Sequence, residues 1–223
     1  MTDRFVLHAP QATVQEQFGV NTQRDDYFEP DYNISPGTRV PVVFREDGQR
    51  RVFDFRWGMI PEDASAENEG RENLNIPVEA LEEEKYKDLF ENNRCLVPAN
   101  GFYKWKTGEK KSTPFYIRLL SNKLMGMAGL YTVWQSQSGR SVYSFSLLTT
   151  EANALVQPVD NRMPVILRPE DYSRWLGEVE PEPMTDSDLL TPFDLTEMAV
   201  NRVSEDVNDP DNNRPDLIQP IPK

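Results

Sequence analysis

The stretch Arg94–Lys106, RCLVPANGFYKWK, limits what this chain can fold into more than any other part of it. Cys95-Leu96-Val97-Pro98 is a run suited to a buried strand. Ala99-Asn100-Gly101 reads as a turn, and Phe102-Tyr103-Lys104-Trp105-Lys106 then alternates ring and charge as a half-exposed strand does. Side chains alternate across a strand, so Lys104 points opposite to Tyr103 and Trp105. Two arrangements follow. With the rings in the core, Lys104 is a solvated surface lysine, the simpler reading of this stretch alone. With the rings on the outside of a sheet, Lys104 points into a cleft.

The rest of the chain is rich in strand signals. Arg4–His8 is a short strand close to the first residue. Pro10–Gly19 reads as a helix with Thr13 as N-cap and Val14 and Phe18 on one face. Arg24–Gly37 is irregular. Thr38–Arg45 and Arg50–Trp57 are strands joined through Glu46-Asp47-Gly48-Gln49, a hairpin signal. Glu62–Glu72 is an acidic surface loop, Asn73–Pro77 a loop, and Leu81–Asn92 a helix with Tyr86, Leu89 and Phe90 inward. Pro114–Leu120, Leu124–Gln135 and Ser141–Thr149 read as strands. Met163–Leu167, a helix at Arg168–Leu176, and Met198–Val203 follow. Glu205–Lys223 is extended and draped over the domain. Many strands with a few short helices predict one α+β domain, residues 1–223, around a curved or barrel-like sheet.

Acidic residues number 37 against 24 Lys and Arg, a net charge of −13. Such a charge argues against casual binding to nucleic acid or anionic membranes. It also fits adaptation to high salt: at molar salt the Debye length falls to about 3 Å, so a local basic groove can still bind DNA. One cysteine, Cys95, and one histidine, His8, exclude an intramolecular disulfide, a cysteine zinc cluster and a His-pair metal site. No metal and no other cofactor is expected. The first residues lack an apolar signal core and no apolar run is long enough for a bilayer, so a cytoplasmic address is expected.

Several segments together resemble the SOS-response-associated peptidase family, also called abasic-site processing proteins. They are MTDRF at the start, YNISPG at Tyr32–Gly37, FRWGMIP at Phe55–Pro61 and RCLVPANGFYKW at Arg94–Trp105. LLTTEAN at Leu147–Asn153, NRMPVIL at Asn161–Leu167 and the ending NRVSEDVNDPDNNRPDLIQP complete the set. Each fragment alone is weak; in this order over almost the whole chain they are specific. The resemblance implies a single compact domain with a barrel-like mixed sheet and a groove for single-stranded DNA leading to the amino terminus. In the family that terminus is a cysteine, exposed once Met is removed. Its amine and thiol capture the ring-opened aldehyde of an abasic site as a stable thiazolidine, and it is thought to cleave off the initiator Met. A motif Glu, Asn and His assist.

This chain departs from that pattern at the chemistry. Position 2 is Thr2 and position 3 is Asp3; Lys104 stands at the motif Glu and Asp160 at the motif His. The motif Asn is carried over to Asn73, with Asn75 as the alternative. These four positions, Thr2, Asn73, Lys104 and Asp160, are the expected catalytic set. A Thr hydroxyl is far less nucleophilic than a thiolate and closes a much less stable ring. Its α-amine, with a pKa of about 7.7–8.0, remains able to form a reversible imine, whereas Lys104 at about 10.4 needs desolvation or a neighbouring cation. Lys104 and Asp160 are expected to pair in place of the Glu and His. By resemblance, Arg4, Asn33, Pro36, Trp57 and Arg162 belong to the DNA groove. For Arg4 and Arg162 the plain alternative is a surface ion pair; for Trp57 it is the core.

Three functions follow as expectations. The first is a monomeric, catalytically impaired member that binds single-stranded or abasic DNA without a durable crosslink, with autoproteolysis impaired too. The second is an active enzyme that forms a Schiff base through the Thr2 amine or Lys104. The third is a scaffold or regulatory protein without DNA binding, which the net charge and Asp3 favour.

Overall fold

A computed structural model describes residues 4–20, 29–108, 112–179 and 186–221. Among these residues the strand signals become thirteen strands. They are β1 (Phe5–Leu7), β2 (Asp31–Ile34), β3 (Arg39–Glu46), β4 (Gln49–Trp57), β5 (Asn75–Pro77), β6 (Arg94–Ala99) and β7 (Gly101–Lys106). Then come β8 (Thr113–Leu119), β9 (Met125–Gln135), β10 (Ser141–Glu151), β11 (Arg162–Pro164), β12 (Ile166–Leu167) and β13 (Met198–Arg202). The helices are α1 (Gln11–Phe18), α2 (Glu84–Asn92) and α3 (Tyr172–Trp175).

The β3–β4 hairpin turns where the sequence predicts, through Asp47 at φ 51° and Gly48 at φ 76°. Two left-handed residues in a two-residue loop match the natural twist of paired strands. From this hairpin a barrel closes: β10 pairs with β4, β4 with β3, β3 with β6, β6 with β9, and β9 again with β10. The β4–β10 pairing is parallel and the others antiparallel, so the barrel is mixed. Aromatic rings of Phe44, Phe55, Tyr131 and Tyr143 pack at one of its ends, with centroids 5.0–6.1 Å apart. The predicted α+β domain with a barrel-like mixed sheet and a few short helices is the fold observed.

A second, antiparallel sheet runs in the order β13-β8-β7-β1-β2. The Ala99-Asn100-Gly101 segment does not make a hairpin. β6 ends in the barrel, β7 begins in the second sheet, and Asn100 alone carries the chain between them. Its side-chain oxygen accepts from the His8 and Ala9 amides at 2.8 and 3.1 Å, which fixes the crossing. Gly101 is required there because a Cβ would meet the Ile117 carbonyl and come within 2.6 Å of the Tyr116 ring. Gly101→Ala is therefore expected to destabilise the protein by about 2 kcal/mol, the size of an overpacking strain. A urea unfolding midpoint unchanged from wild type would contradict this.

Both faces of the second sheet are covered. Phe5, Leu7, Phe102 and Ile117 point into the main core. Val6, Tyr103 and Tyr116 point the other way, onto Val203, Val207 and Leu217 of the C-terminal segment. This explains why all three residues of β1 are buried. The segment expected to drape over the domain does so, with short helical turns at Glu205–Asn208 and Pro215–Ile218. Two strands lie where the sequence reads as irregular: β2 and β5. The N-cap of α1 is Pro10 rather than Thr13, although Val14 and Phe18 are buried as expected.

Candidate active site and DNA groove

The arrangement of β7 decides between the two readings of Lys104. Tyr103 and Trp105 face the C-terminal segment: the Tyr103 hydroxyl donates to the Tyr32 carbonyl at 2.8 Å, and Trp105 Nε1 donates to Asn208 Oδ1 at 2.7 Å. Lys104 therefore points inward with Phe102. It is 0% exposed, so the solvated reading is overturned. Its Nζ lies 3.3 Å from Asp160 Oδ2.

Asp160 stands just before β11, and its Oδ1 accepts the Arg162 backbone N–H at 2.8 Å. Burial alone pushes this carboxyl up. The Lys104 ammonium and the Arg162 amide are among the groups that act against it, and the net result lies below the ordinary value. The expected pairing of Lys104 with Asp160 is thus present as a largely buried ion pair.

Arg162 reaches across the end of β10. Its guanidinium donates twice to Glu79, at 2.8 and 2.9 Å, and to the Thr149 carbonyl. The Arg162 hydrogen bonds lower the Glu79 carboxyl in turn. Glu79 gave no signal in the sequence, because its role depends on β5 lying parallel to β10 with Asn75 beside Leu147. That register directs the chain after β5 toward Arg162.

The two candidate asparagines separate. Asn73 donates its side-chain amide to the Met59 carbonyl at 3.1 Å and lines a cavity with Met59, Pro61, Tyr86 and Thr132. Asn75 opens β5, on the strand that leads to Glu79.

Arg4 and Asn33 hold structure together. The Arg4 carbonyl accepts from the Tyr103 amide at 3.0 Å, placing the start of β1 beside Lys104. Its guanidinium donates to Asn33 Oδ1 at 2.8 Å and to the Val207 carbonyl at 3.1 Å. Asn33 is 3% exposed and donates to the carbonyls of Val207, Asp209 and Asn212. The pair clamps the C-terminal segment; Asn33 is not an open groove residue here. Trp57 takes its plain alternative as well. It is 0% exposed, sits edge-on to Phe5 at 5.0 Å and donates from Nε1 to the Leu74 carbonyl, so it offers no free face to a base. The strand register turns it inward. Pro36 is exposed, at the tip of a turn closed by the Thr38 amide on the Ser35 carbonyl at 3.1 Å.

Thr2 and Asp3 lie outside the described residues. Cys95 is buried, and burial pushes its thiol up, as a core cysteine's would be. His8 stacks on Tyr32 at 5.1 Å, with burial lowering its pKa. Among the described residues, no cluster of three His, Cys, Asp or Glu side chains is arranged to hold a metal ion, and no helix is long and apolar enough to cross a membrane. Chemically, the site offers an ammonium and a carboxylate locked together, with an Arg–Glu pair beside them.

The family described as "SOS response associated peptidase (SRAP)" matches residues 1–210. The chain is 33% identical to the abasic site processing protein YoqW of Bacillus subtilis, over 98% of this chain and 99% of that one. It is 32% identical to the abasic site processing protein YoaM of the same organism, over 98% and 97%. Its fold is similar to that of a protein from Bacteroides thetaiotaomicron solved by X-ray crystallography, with a TM-score of 0.85 over 98% of this chain and 99% of that one, at 24% identity. The chain belongs to the SOS response associated peptidase family.

Proposed function

We propose that this protein binds single-stranded DNA at abasic sites and no longer seals a durable crosslink to it. The observation that carries this reading is the buried Lys104–Asp160 pair at 3.3 Å. The family resemblance implies a Glu and a His at these positions, groups able to exchange protons near neutral pH. An aspartate held below its ordinary value is a poor acid there. An ammonium against a carboxylate keeps its proton, which weighs against Lys104 as a Schiff-base amine. At position 2, Thr supplies a hydroxyl where ring closure to a stable product calls for a thiol. Asn75, at the head of the β5 strand that leads to Glu79, suits the motif asparagine better than Asn73.

DNA meets this site through Arg162 and the exposed Pro36 turn. A strand phosphate at Arg162 would compete with Glu79, an exposed and replaceable partner. The net charge of −13 fits a chain that works at high salt, where the acidic surface repels DNA less.

The test is fluorescence anisotropy with single- and double-stranded oligonucleotides, each with and without one abasic site, from low to molar salt. Preference for the single-stranded abasic oligonucleotide is expected. Equal binding to all four, or none at any salt, would refute the reading.

A further inference from the structure

In so acidic a chain, positive charge gathers around Glu67. Glu67 takes three arginines from three separate segments. Arg140 Nη2 lies 2.7 Å from its Oε2, Arg39 Nη2 3.9 Å from Oε1, and Arg56 Nε 4.0 Å from Oε1. Arg39 opens β3, Arg56 lies near the end of β4, and Arg140 follows the β9–β10 turn. One carboxylate cannot neutralise three guanidiniums. Glu69, two residues on, is turned to the Ser65 and Ala66 amides of its own loop.

Arg56 is the fixed base of the group. It is buried and donates to the Gly58 carbonyl at 2.8 Å. Burial weighs first against its charge, Glu67 supports it, and the nearby charges of Arg71 and Arg39 repel it. Arg71 thus adds a fourth cation within electrostatic reach. Arg39 and Arg140 are substantially exposed above this base.

The position matters as much as the charge. A Cβ on Gly37 would lie 3.8 Å from Arg56 Nη2, so the guanidinium sits close to the exposed Pro36–Gly37 turn. That turn follows β2, and the register pairs Phe5 of β1 with both Ile34 of β2 and Phe102 of β7. The turn therefore lies at the end of the sheet where β1 begins, with β1 between it and β7, the strand that carries Lys104.

We infer that Arg39, Arg71 and Arg140, seated on Arg56 around Glu67, bind a backbone phosphate of a single-stranded DNA that leaves the Lys104–Asp160 site over Pro36. This deepens the proposed function and rests on it. Guanidinium forks match phosphate oxygens, and a phosphate supplies the negative charge that a single glutamate does not. Pairings of this kind position a strand without reading its bases.

The experiment compares wild type, the double variant R39A/R140A and E67Q for binding a single-stranded abasic oligonucleotide across a salt series, with melting temperatures as a fold control. R39A/R140A is expected to bind several-fold more weakly, and its log affinity–log salt slope to fall by about 0.7 for each phosphate left unneutralised. E67Q keeps the arginines and removes the competing charge, so it is expected to bind more tightly with a steeper slope. A purely structural role for the cluster would weaken both variants. Wild-type binding with both variants unchanged, or with E67Q weaker, would overturn this inference and leave the proposed function standing. Absence of single-strand binding by the wild type would overturn both.

Discussion

Asp160→Asn is expected to destabilise the protein by about 3 kcal/mol, the loss typical of a buried ion pair with one partner removed. Lys104 is fully buried, so its ammonium cannot turn to water when the carboxylate is gone. The Arg162 amide would keep an acceptor in the asparagine, so backbone geometry before β11 should hold and the loss should be electrostatic. The companion double variant K104M/D160N removes both charges and is expected to recover most of the stability. The pair also sets a pH dependence. The Asp160 carboxyl is depressed in the folded state relative to 3.8, so its contribution is complete above that value. It is lost as pH falls from about 4 downward, through the folded value. Wild type should therefore lose more stability than D160N over that acid range. Equal urea midpoints for wild type and D160N at neutral pH, or parallel acid profiles, would contradict the pairing.

Asn33→Ala is expected to cost about 2 kcal/mol, because part-buried carbonyls lose their donor and each buried unsatisfied group costs about 1–3 kcal/mol. The Asp209 and Asn212 carbonyls lose this amide, the Val207 carbonyl is left with Arg4 alone, and Arg4 loses an acceptor. The damage should be local. The C-terminal segment covers Val6, Tyr103 and Tyr116, whereas the barrel is held by its own closed ladder. Hydrogen exchange should accelerate first over residues 203–221 and in β7 and β8, with barrel amides in β6 and β9 little changed. Uniform acceleration across the chain, or none, would contradict the clamp. Looser cover over Tyr103 and Trp105 would also loosen β7, so DNA binding is expected to weaken with it.

Much of the barrel was legible because its signals are local. The Asp47-Gly48 turn sets its own hairpin, and the long runs of β9 and β10 have strand composition throughout. β2 and β5 were not legible. The Tyr32 amide and the Asn33 side chain find their partners in the C-terminal segment, and Asn75 pairs through its strand register with Leu147 of β10, all far along the chain. The alternation in Phe102–Trp105 was readable, but not which face would be covered. That depended on Val203, Val207 and Leu217 packing on the rings a hundred residues later. The same long-range packing makes Arg4 and Asn33 a clamp and Trp57 a core ring. The Lys104–Asp160 pairing was anticipated from the family's arrangement. Glu79 and the Glu67 arginines were not, because no spacing in the sequence links residues that meet only through strand register.

Whether the site has kept DNA and lost durable covalent chemistry can be read from one intact mass. The purified protein is mixed with a single-stranded oligonucleotide carrying one abasic site, with and without borohydride, at low and molar salt. Binding in solution is expected, with only the unmodified protein mass in the arms without borohydride. A borohydride-dependent adduct at position 2 would show a reversible imine that is not sealed, and one at Lys104 would contradict the locked ion pair. An adduct that forms without reductant would show that the family's crosslinking chemistry survives here.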